Sequence, residues 1–254
     1  MLLAIDVGNT NAVFAVFAGD KLLDSWRLHT ENTRSADEYA AFLQQVFDLA
    51  DLKFSDIKDV LIGSVVPEVN FHMRGLCEKY LKTEPIFITK DNVPITLNVD
   101  RPEDVGADRL VNALAVKTHY NSPAIVIDFG TATTFDVVDA DGAYAGGVIA
   151  PGIDLSINAL HQAASKLPKV SVQKPDNIIG KSTVQAMRSG IYFGYKGLIE
   201  GVVGQIQDEL GGKVLVLATG GLASLFAEDS TVIDQVDADL TLKGLYEIHK
   251  GLSK

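Results

Sequence analysis

One pattern constrains the fold more than any other: an apolar run, an aspartate, one residue, a glycine, a short polar turn and a second apolar run. It occurs around Asp6-Val7-Gly8-Asn9-Thr10 and again around Asp128-Phe129-Gly130-Thr131-Ala132-Thr133, a spacing of 122 residues. Continuous apolar runs such as Leu2–Ile5 and Ala124–Ile127 are strands buried on both faces, and glycine permits the tight turn between them. A glycine turn follows in both places, Gly19-Asp20 and Asp141-Gly142, and leads into third strands at Lys21–Leu28 and Ala143–Ile149. The chain therefore reads as an internal repeat. Two similar α/β units are expected, residues 1–117 and 118–254, each opening with an antiparallel meander.

Helix and strand alternate after each meander. Ser35 is placed to cap a helix running to about Leu49, and Glu38 three residues on completes a capping box. Asp59–Ser64 reads as a buried strand, Pro67–Lys82 as a helix, Ile86–Ile88 as a short strand and Leu110–Val116 as an apolar helix. In the second half Ile153–Ala164 and Val184–Leu210 read as helices, the latter interrupted by Gly190, Gly194 and Gly197, and Val214–Ala218 as a buried strand.

Composition narrows the chemistry. The excess of 33 Asp and Glu over 22 Lys and Arg gives a net charge of −11, a field that repels polyanions, so nucleic acid is not an expected partner. Cys77 is the single cysteine, which excludes an internal disulfide and a cysteine-rich metal site and fits the cytoplasm; it reads as a buried helix residue. The five histidines match no metal-ligand spacing. No GxSxG, GxxxxGK[ST] or strand-following GxGxxG string is present, which argues against a serine hydrolase, a P-loop kinase and a Rossmann dehydrogenase. No apolar run approaches the roughly 18 residues of a membrane span, so no membrane association is expected.

Each Asp-x-Gly turn puts a carboxylate at a strand end beside backbone N–H groups that a phosphate can approach closely. A carboxylate repels phosphate unless a cation lies between them, so Asp6 reads as a ligand to a hydrated magnesium ion, with Gly8, Asn9 and Thr10 donating to phosphates. Thr219-Gly220-Gly221 is a third glycine turn at a strand's C-terminal end, readable as a nucleotide contact or a plain strand-to-helix connection. Gly106-Ala107-Asp108-Arg109 opens a helix. Asp108 reads either as a helix-start residue or as a general base for an alcohol attacking a γ-phosphate, with Arg109 holding an anion. Gly146-Gly147 through Gly152 is a turn into a helix or a further phosphate contact. These features point to an ATP-dependent small-molecule kinase.

Taken together, Ile5-Asp6-Val7-Gly8-Asn9-Thr10-Asn11, Gly106-Ala107-Asp108-Arg109, Asp128 to Thr133, Gly146-Gly147-x-Ile149-x-Pro151-Gly152, Thr219-Gly220-Gly221 and Leu240-Thr241-Leu242-x-Gly244-Leu245 resemble type III pantothenate kinases, in family order over nearly the whole chain. The resemblance implies two duplicated ribonuclease-H-like domains with mixed β-sheets flanked by helices, the actin-like ATPase fold, with ATP in the cleft. It implies ATP-dependent phosphorylation of the pantothenate 4′-hydroxyl, the first step of coenzyme A synthesis, by a homodimer that needs a monovalent cation, potassium or ammonium, beside the magnesium already read at Asp6. Residue by residue it makes Asp6, Val7, Gly8, Asn9, Thr10, Asn11, Ala12 and Val13 the phosphate loop and Thr131 an ATP contact, to which the reading of the third glycine turn adds Gly220. Asp108 becomes the catalytic base and Gly106, Ala107, Asp108 and Arg109 the pantothenate contacts. Asp128 becomes the monovalent-cation ligand and Thr183 a pantothenate contact given by the neighbouring subunit, with His161 near the substrate. Family members often carry a tyrosine where this chain has Val99 ahead of Asp100-Arg101-Pro102, which puts one substrate hydroxyl contact in question. Two other functions fit part of the pattern: a nucleotide-bound accessory regulator acting through a protein partner, and a kinase of the same superfamily for another small alcohol.

Overall fold

The computed structural model describes residues 1–164 and 166–252. The first meander forms as expected: β1 (Leu2–Val7), β2 (Asn11–Ala18) and β3 (Lys21–His29) pair antiparallel in sequence. Helix α1 (Ala36–Leu49) starts where the capping box puts it. The Ser35 hydroxyl accepts the Glu38 N–H at 3.3 Å, and the Glu38 carboxylate accepts the Ser35 N–H at 2.8 Å. Strand β4 (Asp59–Ser64) returns parallel to β1, α2 (Pro67–Leu76) follows, and β5 (Ile86–Phe87) adds to the edge. The sheet order is β3-β2-β1-β4-β5.

The second half repeats the plan. β6 (Ala124–Phe129), β7 (Ala132–Val138) and β8 (Tyr144–Pro151) form the meander, α4 (Ile153–Ala163) and α5 (Thr183–Glu209) follow, and β9 (Leu215–Gly220), α6 (Ala223–Ala227) and β10 (Gln235–Val236) complete the sheet. Its order, β10-β9-β6-β7-β8, is the first sheet read from its other edge. The strands nearest the middle, β1 and β6, are buried on both faces because helices cover each sheet.

The structure differs from expectation in two places. Helix α5 runs unbroken for 27 residues through Gly190, Gly194 and Gly197. Buried Tyr192, Tyr195, Ile199 and Val203 hold one face against the core, and that packing outweighs the roughly 1 kcal/mol per glycine of lost helix propensity. The closing helix α7 (Leu240–Leu252) is the fourth helix of the second half, yet it packs in the first unit on α3 (Ala107–His119). The first compact unit thus holds Met1–Thr96, Asp100–His119 and α7, and the second Leu97–Val99 and Tyr120–Asp239. Gly244 explains the docking, since a Cβ there would fall 2.2 Å from Val111 O, too close for any side chain. The Thr241 hydroxyl also donates to the buried Asn112 Oδ1 at 2.8 Å. Cys77 is fully buried in the first core, and burial pushes its thiol up to about 12.

Candidate active site

At the end of β1 the Gly8 N–H donates to Asn11 O at 3.0 Å, closing a turn whose Asn9 and Thr10 are exposed. Thr30, at the end of the meander, clamps this turn from below. Its hydroxyl donates to Gly8 O at 2.8 Å and its N–H to Thr10 O at 2.9 Å. Sequence reading misses Thr30, because a threonine at a strand end is ordinary and only the fold brings it under the turn. Asp6 is half-buried, its backbone lying between Val13 of β2 and Gly63 of β4. The side chains of Val7 and Ala12 lie in the core, so these two residues offer the site only main chain.

The start of α3 stands close to the same strand ends. The Arg109 N–H donates to Asp108 Oδ1 at 2.9 Å, so Asp108 does engage the first helical turn. Only one of its oxygens is used in this way; Oδ2 makes no hydrogen bond among the described residues. A helix-start role and a base role are therefore compatible. The carboxylate bends back over Gly106, where a Cβ would come 2.6 Å from Oδ1 and 3.5 Å from Val65 Cγ1. Val65 in turn donates its N–H to Val7 O at 3.0 Å. Asp6 to Val13 and Gly106 to Arg109, far apart in sequence, are thus brought together in the first unit.

In the second unit the Gly130 N–H donates to Ala132 O at 3.1 Å. Asp128 is half-buried between Thr134 and Thr219 in the sheet. Gly220 has φ +90°, a conformation that favours glycine, and a Cβ on it would meet Phe129 O at 2.7 Å and Asp128 Oδ1 at 2.8 Å. The Asp128 carboxylate thus rests against the bare backbone at the end of β9. Thr131 is exposed, and its carbonyl presses on Gly152 so closely that a Cβ at 152 would lie 2.0 Å away. The Tyr195 hydroxyl donates to Pro151 O at 2.9 Å and pins this corner from α5. Asp128 and Gly220 therefore meet at the strand ends, and Thr131 lies on the adjoining turn, held against Gly152.

Thr183 opens α5 behind the Ser182 cap, whose hydroxyl accepts the Gln185 N–H at 3.3 Å. It is exposed and lines a groove of about 430 Å³ with Leu160, Leu167, Met187 and Ile191. His161, in the last turn of α4, donates from Nδ1 to Leu167 O at 2.6 Å, which fixes the segment beside that groove. Gly146 and Gly147 lie within β8, Gly147 paired opposite Asp136 and Gly146, at φ +99°, at the break in the β7–β8 register. Among the described residues no three His, Cys, Asp or Glu side chains gather as an all-protein metal cage. A single half-buried carboxylate beside an exposed glycine turn, as at Asp6, suits magnesium, which keeps several waters and takes its other ligands from phosphate oxygens.

Duplicated five-stranded mixed sheets with glycine turns at the ends of β1 and β6 define an actin-like ATPase fold of the kind that small-molecule kinases use. Among solved structures, the chain resembles a Baf family transcriptional activator from Campylobacter jejuni (TM-score 0.64, 20% identical, covering 99% of this chain and 98% of that one). It also resembles the inorganic polyphosphate/ATP-glucomannokinase of Arthrobacter sp. strain KM (TM-score 0.52, 16% identical, covering 98% of each). The sequence matches the type III pantothenate kinase family over residues 2–205. It is 56% identical to the type III pantothenate kinase of Paramagnetospirillum magneticum, covering 98% of this chain and 97% of the relative. With that of Rhodospirillum rubrum it is 52% identical, covering 98% of each. The chain belongs to the type III pantothenate kinase family.

Proposed function

We propose that the chain transfers the γ-phosphoryl group of ATP to the 4′-hydroxyl of pantothenate, the first step of coenzyme A synthesis, with Asp108 as general base. The observation that carries this reading is the convergence of Asp108, through Gly106 and Val65, on the strand end that holds the Asp6 turn. Phosphoryl transfer is mostly positioning and charge stabilisation, and this unit offers both. The exposed turn at Asn9 and Thr10 presents main chain to the phosphates, Asp108 Oδ2 accepts the hydroxyl proton, and Arg109 beside it holds the substrate's anionic end. Magnesium, held through water by Asp6, neutralises phosphate charge when bound. Asp128, lying on the bare backbone of Gly220, is the ligand for a potassium or ammonium ion, and Thr131 and Gly220 serve the nucleotide beside it.

The enzyme acts as a homodimer in the cytoplasm, with Thr183 serving the neighbouring subunit's substrate. Support comes from Leu160, exposed in the Thr183 groove, from the exposed Leu155, Ile178, Ile179 and Val184, and from the bare face of α5. A Cβ at Gly190, Gly194, Gly197 or Gly201 would meet nothing within 4 Å, so a second helix can approach closely there.

A coupled assay with ATP and pantothenate, run in sodium and then in potassium, tests the activity and the cation together. Asp108→Asn keeps the fold and loses about 10²- to 10⁴-fold in turnover, the usual worth of a positioned base. Near-normal turnover in that variant, with unchanged thermal unfolding, removes Asp108 from the role.

A further inference from the structure

Between the phosphate turn and the base lies a short segment, Ser64-Val65-Val66, that neither role accounts for. Ser64 ends β4 opposite Val7 in the parallel pairing with β1. Its hydroxyl accepts the Val66 N–H at 3.2 Å and so folds the chain sharply as it leaves the strand. The Val65 N–H still donates to Val7 O, 3.0 Å away, which carries the parallel β4–β1 ladder one bond past the strand. Val65 Cγ1 lies within 3.5 Å of the point where Gly106 would carry a Cβ, the same point that Asp108 Oδ1 approaches to 2.6 Å. One half-buried residue therefore faces both partners: its main chain bonds the strand that carries the Asp6 turn, and its side chain looks onto the open Cβ side of Gly106, where the base carboxylate is bent.

We propose that Val65 is a positioning residue for Asp108, fixing the base carboxylate relative to the phosphate turn through the methyl that bounds the open Cβ side of Gly106 and through its main-chain bond to Val7. The proposal rests on Asp108 being the base. β-Branching suits the task, because valine has few χ1 states and its methyl is held in one place. Gly106 has to remain without a side chain, since a Cβ there would occupy the space into which the Asp108 carboxylate folds. Shortening Val65 leaves the Val7 hydrogen bond in place but removes the wall, so the loss falls on the placement of the base and not on substrate binding.

The test compares Val65→Ala, Val65→Ile and Asp108→Asn in steady-state kinetics with ATP and pantothenate, alongside thermal unfolding. Val65→Ala is expected to lower kcat about 10- to 100-fold, the range for a misplacement of about 1 Å, with KM for pantothenate and for ATP unchanged within about twofold. Val65→Ile, which keeps both β-carbon branches, is expected to recover most of kcat. Loss of kcat in proportion to loss of folded protein, or no recovery with isoleucine, overturns the positioning role. Should Asp108→Asn abolish turnover while Val65→Ala keeps it, the positioning role falls and the base stands. Normal turnover in Asp108→Asn overturns both.

Discussion

The turns at Asp6 and Asp128 occupy the same place in two sheets of the same strand order, yet they are built differently. In the first, four residues lie between the paired Val7 and Ala12; in the second, three lie between Phe129 and Thr133. Both turns have two exposed residues, Asn9 and Thr10 in the longer and Gly130 and Thr131 in the shorter, but the longer is held from below by Thr30 hydrogen bonds. The shorter one is pressed from outside by main chain, at Gly152 on Thr131 and at Gly220 on Asp128 and Phe129. A cradle for phosphates needs exposed N–H groups, whereas a site for a partly dehydrated ion needs oxygens held close against rigid backbone. The repeat thus supplies two copies of a strand-turn-strand frame that differ by one residue of loop length, and the proposed roles of Asp6 and Asp128 follow that difference.

The largest expected effect sets the two aspartates against each other. Asp6→Asn is expected to lower kcat by on the order of a hundredfold or more at any potassium concentration, the worth of one electrostatic contact to the transferring group. Asp128→Asn is expected chiefly to raise the potassium concentration giving half-maximal activity. Kinetics at varied potassium decide, and an exchange of these two phenotypes breaks the comparison.

Next come the glycines. Gly152→Ala puts a methyl 2.0 Å from a backbone oxygen, with no flexible side chain to yield, while Gly8→Ala meets Asn11 O at 3.3 Å. Thermal unfolding is expected to show Gly152→Ala failing to fold or losing about 3 kcal/mol or more, and Gly8→Ala staying near the parent. Equal tolerance at both positions contradicts the difference in construction. A smaller effect is expected from Thr30→Val, which removes the hydroxyl bond to Gly8 O and costs about 1 kcal/mol. A rise in KM for ATP should accompany it if the clamp shapes the phosphate turn.

The smallest effect contrasts two surface networks, one per unit. The Lys79 and Tyr80 bonds hold Asp37 below its usual carboxylate range, and the Lys174 and Tyr192 bonds do the same for Asp229. Asp37 is 64% exposed and Asp229 29%, and Tyr192 is buried, its hydroxyl pushed up to about 12 by burial and then by Asp229. A carboxylate with a lowered folded pKa stabilises above its unfolded value and loses that contribution as pH falls through the folded one. Asp229→Asn is therefore expected to lower the Tm at pH 7 more than Asp37→Asn. Both differences from the parent should close when unfolding is repeated well below pH 3.8.

Much of this was legible in the chain itself, for a definite reason. Apolar runs bounded by Asp-x-Gly turns fix a buried strand, its end and the polar groups placed there, because burial and φ are local demands; β1, β2, β6, β7 and the Ser35 cap follow directly. The duplication and the kinase family were readable for the same reason, as was the placing of Asp6 and Asp128 at equivalent strand ends. Helix continuity through Gly190, Gly194 and Gly197 was not, since local propensity opposes it and only the packing of Tyr192, Tyr195 and Val203 decides. Nor could the sequence send α7 back to α3 or bring Thr30 under Gly8 and Val65 against Gly106. Those contacts join residues distant along the chain, where each partner looks ordinary alone, and only the tertiary fold decides which of them meet.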